Sequence, residues 1–140
     1  MYRANYQTQL YRQTQVETAN PGRILLTLYD AAIRFVKLAI EQIKDGNIPA
    51  KGITLGRAYA IIAEFIHALD HSQAPELCGN LESIYNFMLE QMATANLQMD
   101  AAPLEPVLTH LIDLRETWAE AVTIASKEAP RIVGGTGAAL

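Results

Sequence analysis

The residues that could bind a metal are grouped near the middle of the chain. Glu64 and His67 have the Glu-x-x-His spacing that is used in bundles of the di-iron carboxylate type. Such a site needs a second copy of the motif, and His110 has Val107 rather than a glutamate three positions before it. The sequence therefore does not predict a di-iron centre.

His67 and His71 are four residues apart, with Asp70 between them, so one helical turn could bring the two rings together over a metal. The same stretch leads into Pro75, and polar residues collect where a helix ends. It also has some likeness to the phosphorylated helix of histidine phosphotransfer domains. There a lysine and a glycine follow the histidine, whereas Asp70 here would repel phosphate. We interpret these histidines as solvated residues of a helix end.

Cys78 has no neighbouring histidine or lysine that would activate its thiol, and it is interpreted as a small, partly buried apolar residue. The sequence does not contain a glycine-rich phosphate loop, a Ser-His-Asp set or a pair of inward-facing carboxylates. We therefore expect no catalytic residues, no metal and no cofactor.

Proline and glycine divide the chain into four segments of roughly 24 to 28 residues, each too long for a strand and each with helical periodicity. The breaks fall at Asn20-Pro21, Asp45-Gly46-Asn47-Ile48-Pro49, Ser72-Gln73-Ala74-Pro75, Asp100-Ala101-Ala102-Pro103 and Ala129-Pro130. Short connections between long helices favour antiparallel neighbours. The sequence predicts an all-α fold, an antiparallel up-down four-helix bundle over residues 20–129, with an N-terminal arm over 1–19 and a disordered C-terminal tail over 130–140.

The first helix is apolar over an unusually large part of its circumference. Its predicted core seam consists of Leu25, Leu28, Ala32, Phe35 and Ala39, and a second apolar row lies beside that seam, at Leu26, Ile33 and Ile40. Two neighbouring helices could bury the second row. Alternatively, the row is part of a groove that accepts another segment, either the N-terminal arm or a partner helix.

Composition and charge exclude several classes of protein. The chain has 140 residues, of which 19% are charged and 50% hydrophobic, with a single cysteine and a formal net charge of −4. Lysine and arginine are not clustered, and nine acidic side chains against two basic ones in residues 76–128 would repel phosphate. A membrane-spanning run and a secretory signal are not visible. We expect a cytoplasmic protein that binds no nucleic acid and does not insert into membranes.

The sequence resembles the flagellin-specific export chaperones, the FliS family, over roughly residues 6–122. Tyr11 fits a tyrosine of that family's N-terminal arm. The further matching motifs are Val16-x-Thr18-Ala19-Asn20-Pro21, Leu25-Leu26-x-Leu28-Tyr29-Asp30-Ala31-Ala32, Glu76-Leu77-x-x-Asn80-Leu81, Tyr85-x-Phe87-Met88, Ala95-Asn96-x-x-x-Asp100 and Leu114-Arg115-x-Thr117-Trp118-x-x-Ala121. Two features depart from the family pattern: Ala31 replaces a glycine, and Gln73-Ala74-Pro75 replaces a Gly-Gly loop.

The resemblance implies a non-enzymatic helical chaperone that binds the C-terminal segment of flagellin in the cytoplasm. It would prevent premature polymerisation of flagellin and promote its export through the flagellar type III secretion apparatus. The flagellar export gate would be a further partner. The family's N-terminal arm covers an apolar surface and gives way to flagellin. The residues themselves indicate where such a groove would lie: its predicted lining is the second apolar row of the first helix, Leu26, Ile33 and Ile40, with Tyr59 and Ile66, which lie off the predicted core seam of the second helix. The predicted lid over it consists of Tyr6, Leu10 and Tyr11.

Two other classes of function stay open at this point. The apolar first helix could instead make the chain a helical homo-oligomerising interaction module, and a monomer or a weak homodimer is expected for the free protein. A di-iron or phosphotransfer bundle is the remaining alternative, and it requires the metal or phosphate chemistry that His67 and its neighbours do not favour.

Overall fold

Four helices make up the computed structural model, which describes the backbone of residues 20–139 and the side chains of residues 20–127. They are α1 (Pro21–Lys44), α2 (Ile48–His67), α3 (Pro75–Gln98) and α4 (Leu104–Ala139). No strand occurs within the described backbone. The predicted arm over residues 1–19 lies outside the described residues.

The helix ends follow from local chemistry. Pro21 and Pro75 begin α1 and α3, and Pro49 lies in the first turn of α2, where a missing N–H removes no helical hydrogen bond. The Asn47 side chain caps α2 by accepting a hydrogen bond from the Ala50 N–H at 3.2 Å. Gly46, with φ of +72°, ends α1 in the left-handed conformation that favours glycine.

Two backbone hydrogen bonds close the end of α1 around that glycine. The Asn47 N–H donates to the Gln42 carbonyl at 2.9 Å, and the Gly46 N–H donates to the Ile43 carbonyl at 3.0 Å. At the end of α3 a methionine, Met99, takes the left-handed position with φ of 52°. The Asp100 N–H then donates to the Ala95 carbonyl at 3.1 Å. The four predicted breaks up to Pro103 are therefore confirmed.

The fourth helix differs from the sequence prediction. The predicted end at Ala129-Pro130 does not interrupt α4, whose backbone is helical to Ala139. The φ angle of proline suits a helix, and its cost inside one is the lost hydrogen bond and a steric clash, about 3 kcal/mol. At the start of α4, Pro106 lies in the first turn, where a proline is tolerated, and Pro103 precedes the helix. The boundaries of the predicted arm and tail stay predictions.

The chain divides into two units. The larger one, Leu28–Leu114, contains α2, α3 and parts of α1 and α4. Within it, Tyr29 near the start of α1 stacks on Phe65 near the end of α2, with ring centroids 4.4 Å apart. Phe87 of α3 meets His110 of α4 edge-on at 5.8 Å. These pairings make this unit an antiparallel four-helix bundle, and the predicted all-α fold is confirmed.

The smaller unit consists of Met1–Thr27 together with Arg115–Leu140. Its described side chains belong to the start of α1 and to the middle of α4. Gly22 lies so close to Val122 that an added Cβ would come within 2.7 Å of a Val122 methyl carbon. A larger residue at position 22 would therefore force the Val122 side chain or the helix to shift.

The buried seam of α1 differs from the predicted one. Val36 is fully buried at its centre, whereas Leu28 and Phe35 are only half-buried. The seam consists of Tyr29, Ala32, Val36, Ala39, Ile40 and Ile43. It takes Ala32 and Ala39 from the predicted seam and Ile40 from the row beside it, so the buried face lies between the two predicted rows. The stacking of Tyr29 on Phe65 is one contact of this buried face.

Tyr29 and Tyr85 join α1 to α3 through their hydroxyl groups, which lie 2.5 Å apart in the buried interior. We expect Tyr29→Phe and Tyr85→Phe each to lower the free energy of unfolding by about 1 kcal/mol, because each removes the hydrogen bond between the two hydroxyl groups. The double variant should lose less than the sum of the two, since it removes both hydroxyls. Urea unfolding of the four proteins measures this, and strictly additive losses would contradict the pairing.

Candidate functional site

An open groove runs between α2 and α3 in the larger unit. Its volume is about 220 Å³. Its lining residues are Gly52, Leu55, Gly56 and Tyr59 of α2 together with Met92, Ala93 and Asn96 of α3. Leu55 and Met92 are buried and form the floor, while Tyr59 is 47% exposed at its edge. The groove is therefore a mostly apolar trough that is open to solvent.

Two glycines one helical turn apart keep the groove open on the α2 side. A Cβ added to Gly52 or Gly56 would meet nothing within 4 Å, so neither glycine is required by crowding in this structure. Each glycine lowers the stability of the helix by about 1 kcal/mol relative to alanine. The sequence predicts a weakened first turn of α2 from these glycines, yet the helix is regular from Ile48 onwards.

The register between α2 and α3 is fixed at one end of the groove by a buried lysine. Lys51 is 7% exposed, and its Nζ donates to the Asn96 backbone carbonyl at 2.7 Å and to Asn96 Oδ1 at 2.6 Å. That carbonyl belongs to the last turn of α3, where helical carbonyls lack intrahelical partners and the helix dipole favours a cation. Lys51 therefore caps α3 from the side of α2.

Exposed apolar side chains extend this surface beyond the groove. Ile48 lies one turn before Gly52 on the same face of α2 and is 63% exposed. Leu97 lies one turn after Ala93 on α3 and is 87% exposed. A single exposed apolar residue needs no explanation, but a row that continues an apolar groove indicates a binding surface.

The structure places two of the five predicted groove residues on this face of α2. Tyr59 lines the groove, and Ile66 lies two turns further along the same face, half-buried. Ile33 of α1 is half-buried, and Leu26 is half-buried in the smaller unit, so neither is placed at this groove. The predicted lid residues Tyr6, Leu10 and Tyr11 lie outside the described residues.

Ile40 has to be reassigned. It is only 8% exposed and belongs to the buried seam of α1, so it offers no open surface in this structure. The reason is the shift of the α1 seam described above, which places Ile40 beside Val36 rather than on the outer row.

The residues considered for metal or nucleophile chemistry are not brought together. Glu64 and His67 are exposed on α2, and among the described side chains no group of histidine, cysteine and acidic residues could hold a metal ion. His71 faces Glu82 at 3.6 Å on the surface. The buried Cys78 thiol donates to the Asp70 carbonyl at 3.4 Å.

Asp70 organises the turn between α2 and α3. Hydrogen bonds from the Ser72 hydroxyl and from the Ser72 N–H hold the pKa of the Asp70 carboxyl below its usual range. This side chain is therefore a local turn former.

No helix in the described part of the chain is long and apolar enough to cross a membrane.

Comparisons with known proteins point to one family. The family model for the flagellar protein FliS matches residues 2–125. The flagellar secretion chaperone FliS of Bacillus subtilis is 30% identical over 118 residues, which cover 84% of this chain and 87% of that protein. FliSB of Pseudomonas aeruginosa is 32% identical, with coverages of 76% and 84%. FliS of Salmonella typhimurium is 31% identical, with coverages of 86% and 93%.

Replacing the groove glycine Gly56 should change the stability of the protein. Gly56→Ala should raise the free energy of unfolding by about 1 kcal/mol, because the new methyl group meets open space and alanine has the higher helix propensity. Thermal unfolding measures the change. Gly46→Ala is the matched control and should lower stability, because the φ of +72° at that position strains any residue with a Cβ. Equal shifts of both variants in one direction would contradict this account.

Proposed function

The chain belongs to the FliS family, and we propose that it is a cytoplasmic chaperone that binds the C-terminal segment of flagellin, prevents its premature polymerisation and promotes its export through the flagellar type III secretion apparatus. Its curated relatives are flagellar secretion chaperones, so the coarser function, a flagellar export chaperone, follows from membership. The family is not enzymatic, and the chain is therefore not an enzyme. Flagellin would be the client of this chaperone.

The open groove between α2 and α3 is the observation that carries this proposal. A helical client segment buries its apolar face in such a groove, with side chains three, four and seven residues apart as anchors. Each fully buried anchor contributes roughly 1.5–3 kcal/mol of transfer free energy. Tyr59 at the edge adds a large ring that can cover the client once it is seated.

The proposed surface that binds the client should extend beyond the groove itself. Ile66 continues the face of α2 away from Gly56, and Ile48 continues it in the other direction. Leu26 and Ile33 stay proposed contacts of the client, on their half-burial alone. A segment that follows several of these surfaces would be bound by many modest contacts rather than by one deep pocket.

The N-terminal arm is proposed to act as a removable lid, with Tyr6, Leu10 and Tyr11 as its apolar contacts. While the lid covers the binding surface, the client cannot bind there. The apparent affinity therefore falls in proportion to the fraction of molecules in which the lid is open. The export gate is a proposed second partner of the loaded chaperone. The free protein is proposed to be a monomer or a weak homodimer, which sedimentation at several concentrations tests.

Filling the groove tests its role in client binding. Gly56→Leu should weaken binding of a peptide with the last 40 or so residues of the same organism's flagellin by about tenfold or more, because the new side chain occupies space that the client needs. Isothermal titration measures the affinity. The variant should unfold at the same or a higher temperature, since leucine is a good helix former and Gly56 faces open space.

Gly79→Leu is the matched control. Gly79 lies on α3, a Cβ there also meets nothing within 4 Å, and it is not part of the groove lining. Its affinity should stay within about twofold of the unsubstituted protein. Equal affinities of both variants and the unsubstituted chain would remove the groove from the proposal. Loss of binding in both variants would mean that leucine disturbs binding anywhere on α2 and α3, and not specifically in the groove.

Deleting residues 1–15 tests the lid. The bundle should stay folded, and the flagellin peptide should bind faster or more tightly, because the client no longer competes with the arm. Stopped-flow fluorescence of Trp118 or of a labelled peptide gives the association rate. Identical rate and affinity in the shortened and full chains would contradict the lid.

A further inference from the structure

Lys51, which is buried in the bundle, and Asn96 form a polar contact at the groove. Burying an ammonium group is costly unless it is hydrogen-bonded, and the Lys51 ammonium donates two hydrogen bonds to Asn96, at 2.7 Å and 2.6 Å. The contact joins residues on two helices that are 45 positions apart in sequence. Lys51 therefore holds the Asn96 side chain in one orientation.

That orientation determines what Asn96 offers to the groove. A carboxamide has one oxygen acceptor and one NH₂ group with two donors. Because Oδ1 accepts from Lys51, the NH₂ group at the other end of the amide is the part that can serve a ligand. Asn96 is exposed and lines the groove beside Ala93. The ammonium on Oδ1 polarises the amide and makes the NH₂ group a stronger donor.

The surroundings of Asn96 favour an oxygen acceptor near it. Leu55, Met92 and Ala93 present apolar surface and Tyr59 adds its ring at the edge, so the amide lies in a mostly apolar trough. Gly52 lies on the opposite wall and carries no side chain, which lets a backbone approach closely. At this end of the groove, the Lys51 ammonium and the N-terminus of α2 carry positive charge, which opposes the negative C-terminal end of α3.

We propose that Asn96 is a specificity-determining residue for the client and that Lys51 is its positioning residue. The Asn96 NH₂ group donates to a backbone carbonyl in the last turn of the docked client helix, where carbonyls lack intrahelical partners. The client helix therefore lies antiparallel to α2, with its negative C-terminal end beside Lys51. This inference rests on the proposed function, because it identifies how the flagellin segment is held.

Asn96→Asp tests the donor without removing the contact to Lys51. Aspartate has nearly the same shape and keeps an oxygen for the Lys51 ammonium, but it replaces the NH₂ donor with a second acceptor. The melting temperature should stay the same or rise. The affinity for the flagellin C-terminal peptide should fall by about tenfold to a hundredfold, because a buried acceptor of the client then faces a carboxylate. Isothermal titration and thermal unfolding provide the two readouts.

Asn80→Asp is the matched control. Asn80 is exposed on α3, outside the groove lining, and the substitution changes the net charge by the same amount. Its affinity should equal that of the unsubstituted chain. Normal binding by Asn96→Asp would overturn the inference and leave the proposed function intact. A fall of both melting temperature and affinity would assign Asn96 to bundle stability and would also overturn it. Failure of the unsubstituted chain to bind would instead overturn the proposed function.

The positioning role of Lys51 has a separate readout. In a Lys51→Met background the amide is no longer held, so Asn96→Asp should change the affinity by less than about threefold rather than tenfold or more. Lys51→Gln, which keeps an N–H donor, is the second background and should retain an intermediate effect. Undiminished loss of affinity in both backgrounds would show that Asn96 acts without Lys51.

Discussion

The packing of α2 against α3 holds the proposed binding surface for the client in place, and this packing is fixed near both ends of α2. Phe65 is stacked on Tyr29 and lies 5.5 Å from the Tyr85 ring, which ties α2 to α1 and α3 at one end. Lys51 bonds to Asn96 at the other end. Between these two contacts Leu55, Ala58 and Ile62 are buried. A groove between two helices keeps its shape only when neither helix can slide or rotate, and these contacts prevent both movements.

This arrangement separates the stability of the bundle from the binding surface. Stability comes from the buried seams, while Gly52 and Gly56 stand on the solvent side and each lowers helix stability by about 1 kcal/mol relative to alanine. Binding surfaces of this kind often retain residues that are unfavourable for the free protein. The open groove and the exposed Ile48 and Leu97 are unfavourable in the same sense, since apolar surface stays in contact with water until it is covered.

The fold could be predicted from the sequence because its determinants are local. Gly46 and the prolines at the helix starts mark the ends, and regular spacing marks the helices. The seam of α1 could not be predicted, because the helix is apolar over much of its circumference, and the buried face, with Tyr29 on Phe65, lies between the two predicted rows. The helical backbone across Pro130 was also not predicted, since proline is disfavoured in a helix without being excluded from it.

The candidate site could be predicted only in part. Tyr59 and Ile66 stood out because they are large apolar residues off the core seam of their helix. Gly52 and Gly56 were interpreted as weak helix positions, since the sequence does not show that empty space lies above them. The contact of Lys51 with Asn96 depends on the antiparallel register of two helices, which residue spacing within one helix does not specify.

An export chaperone has to release its client, and the groove suits moderate affinity better than maximal affinity. Association carries an estimated cost of several kcal/mol in lost freedom, and an unfolded client adds the cost of ordering its own chain. In the proposed complex, a shallow groove with apolar anchors and one amide donor would offset part of this free-energy cost through contacts spread over a large surface. A lid that covered the surface in nine molecules of ten would lower the apparent affinity a further tenfold, by about 1.4 kcal/mol. Release then requires only that a modest number of contacts be broken in sequence, whereas a deep pocket would concentrate the same free energy in a single step.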